Sequence, residues 1–223
     1  MFSIAQSIAE GGISGVPPNS FIATFGNAQT AGNCNVIFVA MEFANSTLVS
    51  CVDTVGNPYE LVDFVYGTSP EISGAVYVAF NIGAASAGAN TVTVTWSGGV
   101  GSPEVYALEI GGGVGAVDVH TTATFNPTTT PSISDTTLAA TTLLLAYCYC
   151  DGSGVVNDSQ GSGWSQDASS ISGYGSQVQY RNVSSAGPYT ASCTTSDNQS
   201  VMVFVSLKAS GTPTYGNAIF FDM

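Results

Sequence analysis

Positive charge is almost missing from this chain. Arg181 and Lys208 are its two basic residues beside the single His120, and 15 acids give a formal net charge of −13. Neutralising a nucleic-acid backbone takes several cations together, so nucleic acid is excluded as a partner. Attraction to an anionic membrane surface fails on the same ground, and no membrane partner is expected. Charge of either sign is scarce, at 8% of residues against about a quarter in an ordinary soluble domain. Solubility must rest on Ser, Thr, Asn and Gln, helped by the net negative charge.

Long apolar runs are also missing. A membrane-spanning helix needs about 20 apolar residues, and the strand-like TLLLAYCYC at 142–150 is far shorter. The opening MFSIAQSIAEGGISG has no Lys or Arg and no extended apolar core, so it does not read as a secretion leader. Either a leader has been removed or the protein leaves its cell by another route. No amphipathic pattern of three helical turns occurs. FSIAQSIAE (2–10) is the nearest to one, because Ile4 and Ile8 would share a helix face. The glycines at 98–101 and 111–115 lack the Lys-Ser/Thr ending of a phosphate loop. No Cys-x-x-Cys occurs among Cys34, Cys51, Cys148, Cys150 and Cys193, which argues against a zinc ribbon or a thioredoxin-like site. Cys148 and Cys150 share a strand face but are poorly placed to bond each other. Buried thiols and one or two bridges remain equal alternatives. No cofactor is implied.

What is abundant is two-residue alternation. NTVTVTW (90–96) sets Val92, Val94 and Trp96 against Thr91, Thr93 and Thr95. GAVYVAFN (74–81) and QVQYRNV (177–183) alternate in the same way. NVIFVAMEF (35–43), TLLLAYCYC (142–150) and SVMVFVSLK (200–208) are apolar on both faces, as central strands covered from two sides would be. Further strands are expected at 20–25, 47–53, 59–66, 104–110, 116–122 and 188–194, with Gly- and Pro-bearing turns between them. The expectation is an all-β fold, an antiparallel β-sandwich with jelly-roll-like connections and extended terminal segments. Residues 1–19 are an N-terminal arm, 20–209 the sandwich and 210–223 a C-terminal tail or arm. NPTTTPSISDTT (126–137) reads as a long crossing loop.

The two halves are loosely similar, and their order resembles a β-sandwich module of bacterial surface proteins and phage virion proteins of the decoration or fibre type. The resemblance is carried by the strand at 35–43, VDTVGNPYEL (Val52–Leu61), GANTVTVTW (Gly88–Trp96), GSGW (Gly161–Trp164), SSAGPYTAS (Ser184–Ser192) and the closing VMVFVSLKAS. It covers about residues 20–210. It implies adhesive or structural modules, not enzymes with a shared catalytic set.

Candidate chemistry is thin. His120 lies two residues from Asp118, on one strand face by alternation, but no Gly-x-Ser-x-Gly elbow accompanies it. Glu104 and Glu109 could form a glycosidase pair, although Glu109 alternates with Tyr106, Leu108 and Ile110 and is expected to point outward. Asp151, Asn157 and Asp158 sit in a Gly/Ser loop whose oxygens suit calcium, without the EF-hand spacing. Trp164, Tyr174, Tyr180 and Tyr189 could stack on sugar rings, or simply pack. No catalytic residue is assigned.

The chain ends in NAIFFDM. Burying one Phe stabilises by about 1.5–3 kcal/mol, so Ile219, Phe220 and Phe221 should lie against their own domain or a neighbouring subunit. These features point to a non-enzymatic structural protein of an extracellular assembly, a phage virion exterior subunit such as a capsid decoration or fibre protein. Its partners would be copies of itself or other virion or filament subunits, and its place the virion or extracellular space. The alternative is a carbohydrate-binding or adhesive module of a bacterial surface protein, with a glycan as partner.

Overall fold

The computed structural model describes residues 1–12, 18–42, 46–67, 71–150, 156–157, 161–169, 175–195 and 199–210. All regular structure among them is strand: β1 (Ser3–Gly11), β2 (Ser20–Thr24), β3 (Cys34–Glu42), β4 (Leu48–Asp53), β5 (Glu60–Tyr66), β6 (Ile72–Ala79), β7 (Thr91–Trp96), β8 (Gly101–Gly111), β9 (Val114–Phe125), β10 (Ser132–Thr137), β11 (Thr142–Cys150), β12 (Val156–Asn157), β13 (Ser165–Ser169), β14 (Gly175–Val183), β15 (Gly187–Ser192), β16 (Thr194–Thr195) and β17 (Ser200–Ala209). The all-β sandwich expected from alternation is what forms.

Two five-stranded antiparallel sheets make the centre, ordered β1-β8-β3-β6-β5 and β13-β14-β11-β17-β9. Written from the other edge, the second is β9-β17-β11-β14-β13. Each strand then stands where β1, β8, β3, β6 and β5 stand in the first, so the chain repeats one topology. The outer layers follow suit: β2-β7-β4 covers the first sheet, and the pairs β10-β15 and β12-β16 belong to the second.

The two large sheets face each other across one core. Val36, Phe38 and Leu108 of the first meet Leu145, Tyr147 and Val203 of the second. The Phe38 and Tyr147 rings stack with centroids 5.4 Å apart. Alternate residues turn the other way into separate outer cores. Ile37, Val39 and Met41 of β3 pack under β2-β7-β4, while Leu144, Ala146 and Cys148 of β11 pack with Ile133, Trp164 and Ala191. Two covered faces explain why β3, β11 and β17 carry apolar residues on both sides.

Residues 2–10 do not form a helix. A register shift between Ile4 and Gln6 bulges β1 against β8, so Ile4 packs on the central core and Ile8 on the first outer core. An i, i+4 pair shares a face in a helix and in a regular strand; the extra residue of a bulge separates them. The crossing loop expected over 126–137 is also shorter than supposed, because Ser132–Thr137 pairs with Gly187–Ser192 as β10.

Candidate functional site

The sequence candidates are not brought together. In β9, Val119 pairs Ser206 and Val117 pairs Leu207, which leaves Asp118 as a bulged residue. The bulge breaks the alternation that would align Asp118 with His120. Asp118 accepts from the amides of Leu138 (2.8 Å) and Ala139 (3.1 Å) and from Lys208 Nζ at 3.3 Å. Burial raises its pKa, but these hydrogen bonds and the Lys208 charge outweigh burial and hold the carboxyl below its usual range. His120 Nδ1 instead meets Asp63 Oδ2 of β5 at 2.9 Å, on the exposed rim between the large sheets.

Glu104 and Glu109 sit five residues apart on β8, an odd spacing that puts them on opposite faces. Glu109 turns away from the central core, as expected, yet it is buried rather than solvated, at 1% exposure. Gln6 of β1 and the β2–β3 connection cover it: Gln6 Nε2 (2.6 Å), Asn33 Nδ2 (2.6 Å) and the Thr30 amide (2.8 Å) all donate to its carboxylate. Val105 and Ala107, apolar on that same face, were the signal that another layer lay above.

Glu104 faces the central core and is fully buried. Ser176 of β14 donates to it from the opposite sheet. The Tyr147 hydroxyl lies near enough to interact with the carboxyl, but no hydrogen bond closes, and Glu104 Oε2 and Tyr147 Oη both lack a partner. Burial pushes Glu104 up to about 7, opposed by the Ser176 and Tyr147 hydroxyls. Two further carboxylates bridge the sheets nearby. Tyr149 Oη donates to Glu42 Oε1 (2.9 Å), which Ser102 Oγ also approaches through Oε2 (2.8 Å), and Tyr106 Oη donates to Asp167 Oδ2 (3.0 Å). Glu104 shares the parity of Tyr106, Leu108 and Ile110, so its inward direction was readable from alternation. That a second sheet would supply its donor was not.

The first outer core is sealed by a polar network around Asp53. Its carboxylate accepts from the amides of Gly56 (2.8 Å) and Asn57 (2.9 Å), from Asn57 Nδ2 (2.7 Å), Asn90 Nδ2 (2.9 Å) and Tyr59 Oη (3.1 Å). Asn35 Nδ2 donates to Tyr59 Oη (2.9 Å), and Gln29 Nε2 to Asn35 Oδ1 (2.9 Å). Burial raises the Asp53 pKa, and the bonds from Asn90, Asn57 and Tyr59 bring it below the usual carboxylate range. This is what VDTVGNPY encodes: a turn closed on its own aspartate.

Trp164 is 7% exposed; its indole N–H donates to the Thr190 carbonyl at 2.8 Å, and its ring meets Phe204 edge-on at 6.1 Å. Tyr180 is half-buried against the central core. Tyr189 carries the Arg181 guanidinium 5.3 Å above its ring. Asp151, Asp158, Tyr174, Ile219, Phe220 and Phe221 lie outside the described residues, as does the Asn157 side chain. Cys148 bonds Cys193. Cys34 and Cys51 are buried thiols whose pKa burial raises, and Cys150 donates to the Gly175 carbonyl at 3.2 Å.

Among the described residues no three His, Cys, Asp or Glu side chains are grouped to hold a metal ion. Among the described residues, a cleft of about 290 Å³ is lined by Met1, Thr141, Asn182, Val183 and Ser184. Chemically, the described arrangement holds layers together and caps turns. No protein-family model, no curated protein and no solved structure matches the chain.

Proposed function

We propose that this protein is a non-enzymatic structural subunit of an extracellular assembly, a phage virion exterior protein of the capsid decoration or fibre kind that self-associates through sheet edges and its C-terminal segment. The observation that carries the reading is the placement of its acids. Asp53, Glu109 and Asp118 each hold a turn or a covering loop, while Glu42, Glu104 and Asp167 bridge two sheets. Each of the six thus serves packing: three fix turns or a covering loop at separate places, and three tie the two large sheets together along their shared interface. A surface with two cations and a net charge of −13 also supports a part whose contacts are made by uncharged β surface and backbone edges.

Negative-stain imaging of the native source material tests the reading, together with deletion of residues 211–223. The protein should sit on a particle or filament, and the deletion should lower its occupancy there. A protein found free in the native material, with no particle or filament bound, overturns the proposal.

A further inference from the structure

An open sheet edge is a template for another strand, and proteins blunt such edges with bulges, charges or proline. Most edges here are blunted. β1, β4, β5, β9 and β13 each carry a register shift. β10 carries Asp135 and β15 carries Pro188. Among the described edges longer than two residues, only β2, Ser20-Phe21-Ile22-Ala23-Thr24, has no bulge, no acid and no proline.

The direction of its backbone groups follows from its neighbours. The Phe25 amide donates to Asn90 O and the Trp96 amide donates to Asn19 O, on the same ladder that pairs Ile22 with Thr93. Residues 19, 21, 23 and 25 therefore turn their backbone groups toward β7. Ser20, Ile22 and Thr24 turn N–H and C=O toward the outer edge, where they form no backbone hydrogen bond with a described residue. The Ile22 side chain is 55% exposed, in one uncharged row with Thr93 and Val52, itself 53% exposed.

We infer that β2 is a homodimer edge: two copies of this chain pair β2 with β2 antiparallel about Ile22, extending β2-β7-β4 into one continuous sheet across a twofold axis. The segment is self-complementary in this register. Ser20 lies opposite Thr24, Phe21 opposite Ala23, and Ile22 opposite itself. Hydroxyl faces hydroxyl, a large ring faces a methyl, and the backbone groups left open on Ser20, Ile22 and Thr24 are those that form the hydrogen-bonded pairs. An isologous contact needs this self-match. Two copies each at −13 can approach most closely where neither presents a charge, which is why a second copy is the fitting occupant. The inference rests on the assembly reading above and names its edge.

Sedimentation equilibrium of the full chain, with Ile22→Lys beside it, tests this. The parent should approach twice 22.6 kDa with rising concentration, and Ile22→Lys should stay at 22.6 kDa with unchanged circular dichroism. A second pair of variants fixes the register. Opposed Cα atoms of a hydrogen-bonded pair are about 5.5 Å apart, within disulfide range. Ile22→Cys should therefore crosslink to a dimer on mild oxidation, and Val52→Cys on the same face should not. A dimer that survives Ile22→Lys, or equal crosslinking of both cysteine variants, overturns the edge while keeping self-association. A parent that is monomeric throughout overturns the edge and leaves the particle reading to imaging.

Discussion

The two halves of the chain repeat one strand order and close their outer cores by different chemistry. The first half uses a reversible network, with Asp53 accepting from Gly56, Asn57, Asn90 and Tyr59. The second uses the covalent Cys148–Cys193 bridge, beside Trp164 bonded to Thr190. Both halves keep the same strand order. How the ends are sealed is a local matter, free to differ. The first seal answers to pH and the second to redox conditions.

Breaking the covalent seal should have the largest effect. The bridge spans a sequence separation of 45, and chain entropy for a loop of that length gives about 4 kcal/mol. Urea unfolding of the Cys148→Ala, Cys193→Ala double variant should show a loss of that order, matched by the reduced parent. A loss below about 1 kcal/mol would mean the second outer core stands without its bridge, and the contrast between the halves would fail.

The shared interface offers a sharper version of the comparison, since it has two topologically equivalent ends. At one, Gly74 of β6 lies against Val201 and Val203 of β17. At the other, Ser176 of β14 lies against Glu104 of β8. The first is dry; the second buries a carboxyl. With Glu104 pushed up to about 7 from its ordinary 4.5, the folded chain keeps a proton between those values that the unfolded chain has released. Stability therefore falls as pH rises across that window, by about 3 kcal/mol in total. Asp53 and Asp118 act oppositely and elsewhere. Their depressed pKa values give stability that is full above about 4 and lost as pH falls through the folded values. Glu104→Gln should flatten the fall between pH 4.5 and 7.5 in urea midpoints and leave the acid limb intact. A parent profile flat across that window would remove the buried charge from the account.

At the dry end, a Cβ on Gly74 would meet Val201 Cγ2 at 2.8 Å and Val203 Cγ2 at 3.1 Å. Valine methyls cannot swing aside as a long side chain can. Gly74→Ala should cost about 1–3 kcal/mol by overpacking, measured by thermal or urea unfolding, and Val201→Ala in the same background should recover part of it. A neutral Gly74→Ala would mean the sheets can part slightly, and that the tight dry end is no constraint on their spacing.

The covered central strands were legible because alternation carries them, whereas the outer layers over each large sheet were not. The doubly apolar 35–43, 142–150 and 200–208 had to be central, and they are β3, β11 and β17. What alternation cannot carry is where a strand adds a residue. The bulge in β1 sends Ile4 and Ile8 into different cores, and the bulge at Asp118 parts it from His120. The first pair suggested a short helix because an i, i+4 pair shares a helix face; aligning the second assumed an unbroken strand period. SISDTT was hidden for another reason: its polar outer positions and Asp135 mask a strand that buries Ile133 and Thr137. Glu109 was given the right face and the wrong surroundings, because a covering loop leaves no periodic mark. The bridge from Cys148 to Cys193 likewise needed the fold, since five cysteines allow many pairings.

The rim of the interface should contribute least. His120 of β9 meets Asp63 of β5 at 2.9 Å, with the histidine side chain 44% exposed. A contact held at a wet rim costs side-chain entropy and is screened by solvent, and such pairs contribute below about 1 kcal/mol. Asp63→Asn should therefore shift the urea midpoint only slightly, and added salt should shift the parent no more than the variant. The sheets are held by the stacked Phe38–Tyr147 layer and its neighbours, so losing an edge contact leaves that layer covered. A loss above about 2 kcal/mol for Asp63→Asn would reverse this ranking, because it would make the rim, rather than the apolar centre, the element that keeps the two large sheets together.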